Sequence, residues 1–357
     1  MMQAARTSVK RAFLLILCLL LAGALLESQP LCAQSAGNAR FQAAAKKASP
    51  RKVVLHSVTV RKRKYLYLRE VAALYGCRYT YNSKSKQAVM VGSKGVRLEF
   101  KVNSVASKVN GVEVALSYPV IMHKDAMMLA VSDFNTLLQP IMRPSTVASR
   151  TVRTVVLDPG HGGKDTGAKF GAVQEKDYNL KIARRVGAIL AKRGYRVLYT
   201  RTDDKALELS QRSKFAVKHK PDLFISIHCN SAADSSISGI EVFAANPEGT
   251  PSFGTTTIGK KGPGTVFDTV NALWAYRTQA ALIKATAAAD RGVKRKQFYV
   301  LRETPAPALL VECGFLSNVA ERKKLTDNAY LDKIAVAICD GVDAIRRDLT
   351  VKNAARK

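Results

Sequence analysis

A chain of 357 residues, 47% hydrophobic and 24% charged, has a globular composition and enough length for two domains of ordinary size, which excludes a disordered or fibrous protein. The formal charge of +30, from 57 Lys and Arg against 27 Asp and Glu, favours polyanionic surroundings. It is spread along the chain without an interleaved basic-aromatic motif, which argues against nucleic acid as the partner.

At the N-terminus, Lys10 and Arg11 precede the apolar run AFLLILCLLLAGALL, and small residues follow around Ala33. This pattern predicts an export signal over residues 1–33, either cleaved or retained as an anchor. The rest of the chain is then expected in the periplasm, the cell wall or the extracellular space, where its charge would meet an anionic envelope surface. No other run reaches the roughly 18 apolar residues needed to span a bilayer. Residues 34–50, rich in Ala, Ser, Gln and Lys, predict a linker.

Residues 51–142 carry short alternating stretches: VVLHSVTV, QAVMVG, VRLEFKV, VEVALSYPVIMH and MMLAV. Two helical stretches, LREVAALYG and VSDFNTLLQP, interrupt them, which predicts a small α+β module. A second linker is expected over 143–151. From 152 to 349 the rhythm becomes strand, helix, strand, as in an α/β domain. TVVLD reads as a strand buried on both faces. Leu180, Ala183, Val186 and Leu190 then recur at helical spacing, with Gly194 as the C-terminal stop. YRVLYT, a helix ending near His219, DLFISIHCN, GIEVFAA, a helix near 270–289, QFYVL, ALLVECG and a helix over 329–348 follow. Six widely spaced cysteines form neither a disulfide framework nor a CxxC metal knuckle, and leave a Cys229–Cys313 bridge open.

The turn TVVLDPGHGGKDTGA sets His161 among glycines. A dinucleotide fingerprint starting at Gly160 needs glycine at position 165. A P-loop ending in Gly163 and Lys164 needs glycine at 158 and Ser or Thr at 165. Asp158 and Asp165 stand there instead, so both phosphate motifs fail. A metal fits better. His161 follows VVLDPG, His228 ends DLFISIH and Glu312 ends ALLVE, and ligands of open α/β sheets bind beyond the carboxyl ends of strands. Glu175 stands just before the next helix. Two histidines and a glutamate form a known catalytic zinc set that leaves one position for water. Asp158 is read as a turn cap or as the acceptor for a ligating imidazole. Glu312 in an apolar strand is costly to bury unpaired. His219 reads as surface, and His56 and His123 have no partner pattern. From the residues alone, a joint zinc site and separate structural side chains both stay open.

The blocks LDPGHGGKDTGA, EKDYNL, SIHCNSA, DRGVKRKQFYVLRET and PALLVECGFLSN, in that order over residues 152–348, resemble the zinc-dependent N-acetylmuramoyl-L-alanine amidases of the third amidase family. That resemblance implies a mixed sheet flanked by helices. It implies zinc held by His161, Glu175 and His228, with Glu312 as the catalytic carboxylate. The implied reaction is hydrolysis of the amide between muramic acid and the L-alanine of the peptidoglycan stem. A wall-binding module without activity, or a zinc hydrolase of another amide, are the alternatives. Thr166 and Cys229 stand where the family more usually has proline and alanine; neither supplies a ligand. Some members carry an inserted helix that blocks the zinc. Residues 246–266, rich in Gly, Thr and Pro, lack helical periodicity, so a mobile loop beside the site is expected and no such plug. Residues 53–138, through YLYLREVAALYG and the strand series, more loosely resemble the copper amine oxidase N-terminal-like domain. No histidine cluster accompanies them, so no copper is implied, and attachment to substrate or wall is the expected role. A monomer is expected.

Overall fold

Asparagine and glycine at a two-residue loop favour the turn that matches strand twist, and Asn110 and Gly111 take positive φ of 50° and 84° between two strands here. The computed structural model describes residues 53–147 and 151–354. The expected export signal over 1–33 and the linker over 34–50 lie outside the described residues, as do residues 148–150 of the second linker.

The chain runs through β1 (Ser57–Val60), β2 (Arg63–Tyr67), helix α1 (Leu68–Leu74), β3 (Arg78–Asn82), β4 (Gln87–Val91), β5 (Arg97–Lys101), β6 (Ala106–Val109), β7 (Val112–Ala115), β8 (Ile121–His123) and β9 (Ala126–Ala130). A helical segment over 131–142 closes this part. Then come β10 (Thr154–Pro159), the short pair β11 (Lys169–Phe170) and β12 (Val173–Gln174), α2 (Glu175–Lys192), β13 (Arg196–Tyr199), α3 (Leu209–His219), β14 (Leu223–Asn230) and β15 (Ile240–Ala244). The last elements are α4 (Asp268–Thr286), β16 (Asp290–Arg295), α5 (Tyr299–Arg302), β17 (Ala308–Phe315), α6 (Val319–Leu325) and α7 (Asn328–Ala354).

An eleven-stranded mixed sheet has the order β13-β10-β14-β17-β15-β16-β7-β6-β5-β4-β3. β13, β10, β14 and β17 run parallel, β15 pairs antiparallel with β17, and β16 runs parallel to β15. The mixed α/β sheet flanked by helices is thus observed. Its continuation was not foreseen: β16 pairs in parallel with β7 at Val293 and Val114, so the early strands extend the same sheet. A separate four-stranded sheet has the order β1-β2-β9-β8.

Alternation explains the two layers. Val155, Leu157, Ile225, Ile227, Leu309 and Val311 face the main core with residues of α2, α4 and α7. Val156, Phe224, Phe243 and Leu310 face the other side, where α3 and α5 contribute Ala216, Val300 and Leu301. Burial of each large aliphatic stabilises by about 1.5–3 kcal/mol relative to exposure. The second face is thinly covered, and it is the face that carries the polar groups of the site.

Several elements differ from expectation. QFYVL is no strand: Tyr299–Arg302 is a helical turn, and the strand is the preceding DRGVKR. VEVALSYPVIMH is two strands that belong to different sheets. The strands RKYLY, RYTYN and ASKV carried too many charged or hydroxyl residues to stand out. The expected loop at 246–266 holds no α-helix and runs at its end into a short 3-10 turn, Thr265–Phe267; it is tied down by bonds from Gly259 N to Thr250 O (2.7 Å) and from Phe253 N to Arg295 O (2.8 Å).

Candidate metal centre

The glycine turn places an imidazole in a space that larger residues would fill. His161 stands two residues beyond β10 with φ of 60°, a left-handed conformation uncommon outside glycine. A Cβ on Gly160 would lie 2.1 Å from Cε1 of His228. A Cβ on Gly167 would lie 2.5 Å from Oε2 of Glu175. Both positions therefore need glycine for close approach to the neighbouring side chains.

Glu175 is the first residue of α2 and is 6% exposed. Its Oε1 lies 3.2 Å from Nε2 of His161 and 2.9 Å from Nδ1 of His228. The three ligand atoms all fall within 4.8 Å of one another. Ala168 N donates to Oε2 at 2.9 Å, and Cys229 N donates to Oε1 at 3.3 Å. Burial alone would raise the Glu175 carboxyl, but hydrogen bonds from His161 and His228 and their charge outweigh it and hold the group well below the usual carboxylate range. His161 is held above its ordinary value. Burial works against this, and Glu175 and Asp165 outweigh it.

Asp165 is the residue that sequence reasoning missed. Its Oδ2 lies 2.8 Å from Nδ1 of His161 and leaves Nε2 to face Glu175. The signal was its position four residues after the histidine in the same turn. Asp158, expected to cap the turn or to serve an imidazole, does neither. It is fully buried, accepts from Arg212 at 2.7 Å and Thr200 at 2.6 Å through Oδ1, and accepts from Ser226 at 2.8 Å through Oδ2. Arg212 also donates to the carbonyls of Pro159 and His161, each at 2.8 Å. Arg201 donates to the carbonyls of Pro159 at 2.9 Å and Gly160 at 2.8 Å. Two buried guanidiniums thus brace the turn from beneath, satisfying carbonyls that have left the sheet.

Glu312 sits on β17 directly beside His228 of β14, and Glu241 of β15 is its partner on the other flank. Register partners share a face, so the three side chains form one row. Glu312 is 9% exposed and its Oε2 has no hydrogen-bond partner in the protein. Burial, then Glu175 and Glu241, push this carboxyl well above its ordinary value, while Lys296 and Lys294 pull it back. Glu241, by contrast, accepts from Lys294, from Arg291 at 3.2 Å and from Asn230 at 2.8 Å. A pocket of about 340 Å³ opens beside His228 and Glu312, lined also by His161, Leu207, Leu209, Phe298 and Tyr299. No residue of the 246–264 loop lines it. That loop lines a different cavity of about 420 Å³, beside Leu116 and Ser117.

The other expectations sort simply. His56 pairs with Glu70 at 2.7 Å, a partner the sequence did not suggest. His219 packs on Phe215 with ring centroids 4.3 Å apart. Neither they nor His123 belong to the metal group. Cys229 and Cys313 are both free and buried, so no bridge joins them.

Comparison with known proteins gives concordant findings. The family model described as N-acetylmuramoyl-L-alanine amidase matches residues 155–344, more than half of the chain. The uncharacterized protein YqiI of Bacillus subtilis is 35% identical over 192 residues, which cover 54% of this chain and 84% of that protein. The N-acetylmuramoyl-L-alanine amidase LytC of Bacillus subtilis is 30% identical over 263 residues, 73% of this chain but 46% of LytC, so the chain spans under half of that relative. The solved catalytic domain of CwlV, an amidase from Bacillus (Paenibacillus) polymyxa, is 34% identical, with 54% of this chain and 97% of that one covered at a TM-score of 0.46.

Proposed function

The chain belongs to the N-acetylmuramoyl-L-alanine amidase family, and from that premise we propose that it is a zinc hydrolase that cuts peptidoglycan between N-acetylmuramic acid and the L-alanine of the stem peptide. The observation that carries this reading is the meeting of His161, Glu175 and His228 around one point, with Glu312 in register beside His228. Two imidazole nitrogens and one carboxylate oxygen suit zinc and leave a position for reactants. Their ligand atoms lie within 4.8 Å of one another, close enough to converge on one small cation. Bound there, zinc supplies a Lewis acid that polarises a carbonyl and acidifies a water.

The remaining steps belong to the chain's own residues. Asp165 accepts the Nδ1 proton of His161 and so fixes the tautomer that presents Nε2 to the metal. Arg201 and Arg212 hold the backbone that carries His161. Glu312, whose Oε2 has no protein partner, takes a proton from the attacking water as its oxygen bonds to the amide carbon. It returns that proton to the alanine nitrogen as the carbon–nitrogen bond breaks. The buried, carboxylate-rich surroundings of Glu312 make it a stronger base than a solvated glutamate.

We read the enzyme as working outside the cytoplasmic membrane as a monomer, with peptidoglycan as substrate. Its +30 charge would favour the anionic envelope surface. Among the described residues no helix is long and apolar enough to cross a membrane. The early strands we read as the module akin to the copper amine oxidase N-terminal-like domain.

Two variants test the assignment of roles. Glu312→Gln is expected to bind one zinc per chain and to lose at least about a hundredfold in turnover, the lower range of a missing general base. His161→Ala is expected to lose zinc and turnover together. Metal content and muropeptide release read the two effects. Full activity in Glu312→Gln would remove this residue from the chemistry.

A further inference from the structure

β16 and its end carry four basic side chains, and three have a carboxylate. Arg291 and Lys294 both bond Glu241, and Arg295 bonds Asp133. Lys296 has no hydrogen-bond or ion-pair partner for its ammonium among the described residues. It packs instead on two rings, with Nζ 5.1 Å from the centroid of Phe298 and 6.0 Å from that of Phe243. These rings are themselves edge to face at 5.1 Å, so they form a fixed support. Phe298 lines the pocket over Glu312. Lys296 is half-buried rather than fully solvated. An unpaired cation in that state is poised for an anion that arrives with a ligand.

Resting on the amidase reading above, we infer that Lys296 is a specificity residue that receives a carboxylate of the stem peptide, on the leaving-group side of the scissile amide. The first such anion beyond L-alanine is the α-carboxylate of the γ-linked second residue, which occurs either free or amidated. An extended residue spans about 3.3–3.6 Å, so this group lies within two residues of the bond that Glu312 serves. Lys294 cannot take that role, because Glu241 already occupies it. The aromatic support holds the Lys296 ammonium forward at little entropic cost.

The test compares two muropeptides that differ only at that carboxyl, free or amidated. Turnover and equilibrium binding of the matching released stem peptides are measured for the wild-type chain, Lys296→Met and Lys296→Arg. The expected result is a wild-type preference for the free acid and about a tenfold weaker binding of the acid by Lys296→Met. The amide should be unchanged, and Lys296→Arg should restore most of the loss. Equal loss on both peptides would overturn the inference and leave the amidase reading standing. Acid-selective loss from Lys164→Met, a residue that itself lines the pocket, with none from Lys296→Met, would overturn it likewise. Cleavage of neither muropeptide by the wild-type chain would sink the amidase reading and this inference together.

Discussion

At Gly160 one methyl group decides whether the site assembles. The backbone there is open to any residue, but a Cβ would overlap the His228 ring at 2.1 Å. Gly160→Ala should therefore fold, with an unchanged circular dichroism spectrum, and bind zinc roughly 10–100-fold more weakly, as when a metal ligand loses its support. Unchanged zinc affinity would mean that the imidazole is not a ligand in this position. His161 adds a pH dependence with a definite sign. Glu175 and Asp165 hold its ring above the ordinary value of 6.5, and zinc needs the neutral imidazole. Affinity should thus fall by roughly tenfold per unit as pH drops through that raised value. Asp165→Asn should move the fall to lower pH, which a chelator competition at several pH values would read. At this scale the sequence was legible where chemistry forces a residue type. His161, Glu175, His228 and Glu312 are rare choices at strand and helix ends, and the fold brings them together. Asp158 and Asp165 were not separable, because two carboxylates in one turn have the same sequence signature. Only depth distinguishes the buried partner of Arg212 from the half-solvated partner of His161.

Elements show the same division. Strands with long apolar runs, such as β14 and β17, and helices with clear spacing, such as α2, could be read directly. β2, β3 and β6 could not, since each mixes Arg, Lys, Thr, Asn or Ser with few apolar residues and so shows no clear alternation. The Asn110-Gly111 pair was the available signal for the β6–β7 hairpin. The helical turn at 299–302 was hidden because its apolar residues cover the sheet and so imitate a strand. Besides the β16–β7 pairing, a long-range pair that no local pattern announces ties the early elements to the later ones. Asp133 is fully buried and Arg295 is 3% exposed, and they bond each other. Asp133 also accepts from the backbone of Ser117 at 2.7 Å and Tyr118 at 3.1 Å. Asp133→Ala strands a buried guanidinium, a change that costs about 3–5 kcal/mol. The melting temperature should fall by roughly 4–8 °C, since the shift per kcal/mol in a chain of this size lies below the about 2–4 °C of 150–250-residue domains. A fall of under about 2 °C would show that the pair contributes little.

For the whole molecule, the governing feature is a sheet with unequal faces. One face is sealed by three helices over the main core. The other leaves His228 and Glu312 lining a pocket of about 340 Å³, with Glu241 buried beside them in the same row. Burying both faces alike would have left no room for a substrate, and leaving both open would have cost the core. The α/β class followed from the strand-helix rhythm and the mixed sheet from the resemblance, whereas the run of the sheet through β16 into β7 followed from neither, because strand order across a junction leaves no trace in local periodicity. On the proposed function, this open face hydrolyses the muramoyl–alanine amide with zinc. That activity is tested most directly by digesting purified peptidoglycan with the chain, with and without a chelator, and identifying the products by mass spectrometry. The account predicts free stem peptides that begin at L-alanine, absent with the chelator and restored by added zinc. Intact muropeptides from zinc-loaded protein, or the same peptides undiminished by the chelator, would contradict it.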